Sequence, residues 1–138
     1  MTLTLSDEAT FKGSVKATDQ IFLNMGSKTV FNGTIETESF VGTFKNNSKV
    51  NLSGVANEAN IISKSKSYCN AKNFIVQNTE IQSNNSIVLI TTQNKIVVDL
   101  KENAKLTYFG MPKIVDLKDG LIIGKEKNEI PKSLLAIK

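Results

Sequence analysis

The sequence predicts an all-β chain, and within that class a β-solenoid built from short strands in stacked coils of about twenty residues. Three observations carry this prediction. Apolar and polar residues alternate with period two in short stretches, such as Ile21, Leu23, Met25 and Ile96, Val98, Leu100. That is the pattern of a strand with one buried and one wet face. Turn-forming residues punctuate these stretches, and Asn, with fifteen copies, is the most abundant uncharged polar residue. A seven-residue pattern also recurs along the chain at a nearly constant interval.

Taken in order, Ala9-Thr10-Phe11-Lys12-Gly13-Ser14-Val15 returns about twenty residues later as Thr29-Val30-Phe31-Asn32-Gly33-Thr34-Ile35. It returns again as Val50-Asn51-Leu52-Ser53-Gly54-Val55, matched on the glycine. Each copy places a large apolar residue two before Gly and a β-branched residue after it. Gly13, Gly33 and Gly54 are therefore expected to give room at a corner or a positive φ. Between the copies lies the strand pattern Ile21, Leu23, Met25. Downstream the glycine is lost, but apolar strands continue at Phe74 and Val76, at Ile87 and Leu89, and at Ile96 to Leu100. Turns are expected at Gly26, Gly42, Asn46-Asn47, Asn84-Asn85 and Gln93-Asn94. Stacked coils put equivalent residues in columns about 4.8 Å apart, and 138 residues make room for six or seven coils. The competing architecture is an antiparallel sandwich, with Ile87 to Leu100 as a hairpin turning at Gln93-Asn94. Helical spacing is confined to the last eight residues, ending Leu134-Leu135-Ala136-Ile137.

Composition removes chemistry. The chain has no His and no Trp, and all 17 of its basic residues are Lys, so Arg is absent. An imidazole base, a His-ligated metal and a bidentate guanidinium clamp are thereby excluded. The net charge of +4 is spread along the chain without a run of like sign, so nucleic acid is not an expected partner. The lysines read as solubilising surface. No Gly-rich phosphate loop occurs. The close acid pairs are Asp7-Glu8, Glu36-Glu38 and Asp116-Asp119; Glu36 and Glu38 would share one face of a strand as solvated side chains. No residue is singled out as catalytic, cofactor-binding or metal-ligating, and no cofactor is expected. Cys69, the one cysteine, is expected to be a buried structural thiol. The Asn-x-Ser/Thr triplets at Asn32, Asn46, Asn51 and Asn84 are ascribed to turn composition.

The longest aliphatic run, Ile87-Val88-Leu89-Ile90, is too short to cross a bilayer. The first residues, Met1-Thr2-Leu3-Thr4-Leu5, lack the basic and apolar regions of a signal peptide. Two readings stay open: a cytoplasmic protein, or a chain from which an export signal has been removed.

Three segments together resemble a known family. They are Leu52-Ser53-Gly54-Val55-Ala56-Asn57-Glu58-Ala59-Asn60-Ile61, Asn70-Ala71-Lys72-Asn73-Phe74-Ile75-Val76, and the closing Tyr108-Phe109-Gly110-Met111-Pro112-Lys113-Ile114. The chain is similar, from about residue 6 to residue 116, to the C-terminal half of the head GIN domain of autotransporter adhesins. The family's Gly-Ser-Gly-Asp turns are replaced here by Asn46-Asn47-Ser48, Ser65-Lys66-Ser67 and Asn84-Asn85-Ser86. The resemblance implies a right-handed parallel β-helix, a cell-envelope or extracellular location and no catalytic residues. It also implies an adhesin-like module making weak contacts with glycan or a surface protein. The alternatives are a self-assembling scaffold of bactofilin type, stacking through its coil ends, and a polysaccharide-active β-helix enzyme, which the missing Arg disfavours.

Residues 1–116 are assigned to the solenoid and 117–138 to a tail of the same domain. Solenoid ends expose unpaired edges that need cover. The tail carries Leu121-Ile122-Ile123 and Leu134-Leu135-Ala136-Ile137, so it is expected to cap the C-terminal end or to mediate self-association as a homo-oligomer. Pro112 cannot donate to a ladder and belongs at a turn or edge, and one ring of Tyr108 and Phe109 should point inward.

Overall fold

The computed structural model of the protein describes residues 1–116 and 121–125. Every assigned element is a strand and every strand pairing is parallel, which overturns the hairpin and the sandwich. Ten strands join in one sheet that winds on itself. Four of them each make nearly a whole coil: β4 (Val30–Phe44), β5 (Lys49–Lys64), β6 (Tyr68–Asn84) and β7 (Ile87–Lys101). At the N-terminal end one coil is split into β2 (Thr10–Lys16) and β3 (Gln20–Met25), with β1 (Thr2–Leu5) lying on β3. At the other end the coil is β8 (Lys105–Phe109) and β9 (Lys113–Asp116), followed by β10 (Leu121–Lys125) on β8. The result is a β-solenoid of about 6 turns, with coils of about 19 residues.

Each coil runs along one face, turns a corner and returns along a second face, and both faces send side chains into one core. On the first face the inner column is Phe11, Phe31, Val50, Cys69, Val88 and Leu106. The Phe11 and Phe31 rings stack with centroids 5.0 Å apart, the natural result of placing like residues one coil apart. On the second face Ile21, Phe40, Ala59, Thr79 and Ile96 form one column, and Leu23, Gly42, Ile61, Ile81 and Val98 the next. Phe31, Phe40, Phe44 and Phe74 are fully buried, at about 1.5–3 kcal/mol each relative to exposure.

Two sequence expectations shift by one or two residues, and the turn expected at Gly42 is overturned. Ile87 and Leu89 were expected inside, but Val88 and Ile90 are buried, while Ile87 is 40% exposed. Four aliphatics in a row carry no alternation of their own, so the phase comes from pairing Val88 with Cys69 and Ile90 with Ala71. Gly54 was matched to Gly33, whereas Gly33 pairs with Leu52 and Gly54 with Ile35. Val50 therefore takes the inner place of Phe31. Gly42 is not a turn. It sits in mid-strand on an inner column, where an added Cβ would meet the Phe40 and Phe44 rings, so the missing side chain makes space for them.

Gln93-Asn94 also lies within β7, at the corner between the two faces, where its amides stack on the coil before. Gln77 donates to Gln93 at 3.0 Å, and Asn94 donates to Asn78 at 2.7 Å. Gly110, at the same corner of the last coil, has φ 98°, and a Cβ there would strike the Thr92 carbonyl. Pro112 falls between β8 and β9, outside any strand, and Phe109 is the inward ring of its pair.

The other corner is built from tight turns in the left-handed region. Asn46 and Asn47 have φ 56° and 65°, Ser65 and Lys66 have 53° and 66°, and Glu102 and Asn103 have 43° and 56°. Each turn is tied to the next by backbone bonds, such as Asn47 N to Ser65 O at 3.0 Å and Lys66 N to Asn85 O at 2.7 Å. Just after each turn comes a small buried residue: Thr29, Ser48, Ser67, Ser86, then Ala104. A bulky side chain here would push the turn off the core. Two of these hydroxyls are satisfied twice, since Ser67 meets Ser63 at 2.6 Å and donates to Phe44 O, and Ser86 meets Ser83 at 2.6 Å and donates to Ser63 O.

The tail prediction falls partly outside the described residues, as do the helical spacing of the last eight residues and Asp119. Within the described part, Leu121–Lys125 continues the parallel stack in register, Ile122 on Leu106. We propose that residues 117–138 cover the terminal coil. A chain ending at Asp116 is then expected to aggregate or to fail to fold, read by light scattering and circular dichroism; a monomeric, equally stable product would overturn this.

Gly54 has φ 116°, and a Cβ there would overlap the Ile35 carbonyl oxygen of the neighbouring coil. Gly54→Ala is expected to cost about 2–4 kcal/mol through overpacking and a conformation that L side chains rarely adopt. Gly26→Ala, whose Cβ would find no atom nearer than 3.6 Å, should stay within about 0.5 kcal/mol. Urea midpoints of the two variants test the difference.

Candidate functional site

The outward side chains of the first face form ladders across the coils. Lys12, Asn32, Asn51 and Asn70 follow one another in register, and beside them run Ser14, Thr34, Ser53 and Asn73. Asn32, Thr34, Asn51, Ser53, Asn70 and Asn73 line a shallow groove of about 250 Å³. Thr34 Oγ1 and Ser53 Oγ are 2.9 Å apart, and Asn70 Oδ1 accepts the Lys72 amide at 3.3 Å, so these groups are held rather than loose. Asn32 and Asn51, expected at turns, stand in mid-strand on this flat face, whereas Asn46 does occupy a turn. The signal for this lay in the 19-residue interval: 51 − 32 and 70 − 51 both equal 19, so the three amides must stack.

The remaining sequence candidates are dispersed. Glu36 and Glu38 are both exposed at the corner between the faces, and Asn57 donates to Glu38 at 2.9 Å. Asp7 and Glu8 form the first left-handed turn. Among the described residues, no three Cys, Asp or Glu side chains gather where they could hold a metal ion. A solenoid spreads similar side chains along its length and supplies no deep cleft, so the geometry offers repeated shallow contacts rather than a convergent reaction centre.

The profile of the family described as "Putative auto-transporter adhesin, head GIN domain" matches residues 1–112. The chain belongs to this family. The match covers the coils from β1 through β8, including the amide ladder and the stacked turns. No curated protein and no solved structure matches the chain. Family membership accords with the solenoid and with a surface-contact role; the described residues include no helix long and apolar enough to cross a membrane.

Cys69 lies fully buried in the inner column of this head GIN domain, between Val50 and Val88. Burial among aliphatics disfavours the thiolate and pushes its pKa from 9.0 up to about 12. Because the folded value exceeds the unfolded one, this contribution to stability is fully present below about pH 9 and is lost as pH rises towards 12. A thiol reagent at pH 8 is therefore expected to label native protein only at the rate of opening and to label urea-unfolded protein at once. Fast labelling of the native chain would contradict the packing.

Proposed function

We propose that this head GIN domain is a non-catalytic adhesin-like module of the cell envelope or extracellular surface. It presents a rigid solenoid for weak, multivalent contact with glycan or surface protein. The observation that carries this reading is the amide and hydroxyl ladder of Asn32, Asn51, Asn70, Thr34 and Ser53, together with membership of the adhesin family. Asn amides both donate and accept, as do Ser and Thr hydroxyls, which suits the mixed hydroxyls of a sugar. Backbone ladders hold these groups at a fixed spacing, so little ordering entropy is lost on contact. Each contact is shallow and weak, and strength comes from many copies on one surface, which multiplies avidity by about 10²–10⁴.

An array of glycans and matrix proteins probed with the chain in monovalent and multivalent form tests the proposal. Binding is expected in the multivalent format, with Asn51→Ala combined with Asn70→Ala weakening it about tenfold if each loses about 0.5–1.5 kcal/mol of hydrogen bonding. Silence across the array, together with concentration-dependent filaments in sizing and microscopy, would replace this reading with the self-assembling scaffold. Turnover of a polysaccharide would replace it with an enzyme.

A further inference from the structure

Charges that look scattered in the sequence are gathered by the coil. Lys28 and Lys66 sit in the left-handed turns themselves, and Lys45, Lys49, Lys64, Lys101 and Lys105 flank those turns on successive coils. All seven are exposed, against Glu102 and a half-buried Asp99 on the same stretch of corner, with Asp7 and Glu8 at its N-terminal end. The acids Asp19, Glu36, Glu38 and Glu58 cluster at or beside the opposite corner. A chain of net charge +4 thus carries a positive ridge down one edge.

Two grooves flank this ridge. One, of about 150 Å³, holds Lys64, Asn84 and Lys101 in register on successive coils, over Gln82 and Asp99. The other, of about 310 Å³, holds Lys66, Asn85, Asn103 and Lys105 beside the exposed faces of Tyr68 and Ile87. In the first, Asn84 stands between Lys64 and Lys101, so these two like charges lie two coils apart, at about 10 Å from a strand spacing of about 4.8 Å. That is the length of one disaccharide in an extended chain.

We infer that this corner binds an acidic polysaccharide, one bearing a carboxylate on alternate sugars, laid along the solenoid axis. The inference rests on the adhesin reading and gives it a ligand class. Lysines meet the carboxylates, and Asn84, Asn85 and Asn103 face the intervening hydroxyls. Asp99 lines the same groove, and its Oδ1 is buried with no protein donor. A nucleic acid backbone fits this corner less well. The chain has no Arg for a bidentate phosphate clamp, and one exposed Tyr is not a row of stacking platforms for bases.

The test is calorimetric titration of the full chain with hyaluronan oligosaccharides, whose uronates alternate with neutral sugars, with a neutral β-glucan oligomer and with duplex DNA, each at low and high salt. The hyaluronan uronate is expected to bind, with affinity falling about tenfold or more as salt rises through release of counterions. Lys64→Glu combined with Lys101→Glu should weaken it at least about tenfold, whereas Lys16→Glu with Lys95→Glu, away from the ridge, should not. Circular dichroism melts establish that both variants fold. DNA bound as tightly as the uronate, uronate binding indifferent to Lys64 and Lys101, or no uronate binding would each overturn the inference. Neutral-glucan binding without uronate binding would overturn it while leaving the adhesin reading intact.

Discussion

Everything in this molecule depends on the backbone ladder between one coil and the next. Each residue hydrogen-bonds to chain about 19 positions away, so its environment is decided by its counterparts in the adjacent coils more than by its sequence neighbours. The inner columns follow from that ladder, because like residues recur at that interval and meet their own kind. So do the outer amide stack and the lysine ridge. Close approach is also its requirement, which is why glycine appears where a carbonyl of the adjacent coil occupies the place of a Cβ, as at Gly33 and Gly54.

The repeat made the fold legible, and local alternation placed Ile21, Leu23, Met25, Ile96, Val98 and Leu100 correctly on the inside. It failed where alternation was absent. At Ile87 to Ile90 all four residues are aliphatic, and only the pairing with Cys69 and Ala71 picks out the inner two. Matching on glycine failed for a related reason: Gly54 and Gly33 serve different columns, each relieving a different close approach. The turns were readable at Asn46-Asn47 and at Asn85 because Asn tolerates a left-handed backbone, whereas Gly42, expected as a turn, stands in mid-strand to make room for two rings.

The candidate surfaces were the least visible part. No window of sequence is basic, yet seven lysines line one edge, because proximity along the axis is proximity modulo the coil length. The buried hydroxyls were hidden in the same way. Ser67 and Ser86 look like ordinary loop residues until the turn folds them inward onto Ser63 and Ser83. They give the corner a polar lining that an apolar side chain of greater volume could not occupy.

The coils are not identical, and the differences matter to assembly. Thr79 stacks on Ala59 at an interval of 20 residues (79 − 59), but Ile96 lies only 17 beyond Thr79 (96 − 79), with register shifts near Asn51, Ala71 and Val76. A perfectly periodic chain could pair any coil with any other, and a strand displaced by one whole repeat would bury its apolar residues nearly as well. The shortened coil and its bulges act as an address. They let the nascent stack distinguish its fourth layer from its third, and so keep a repetitive sequence from closing on itself one layer out of place.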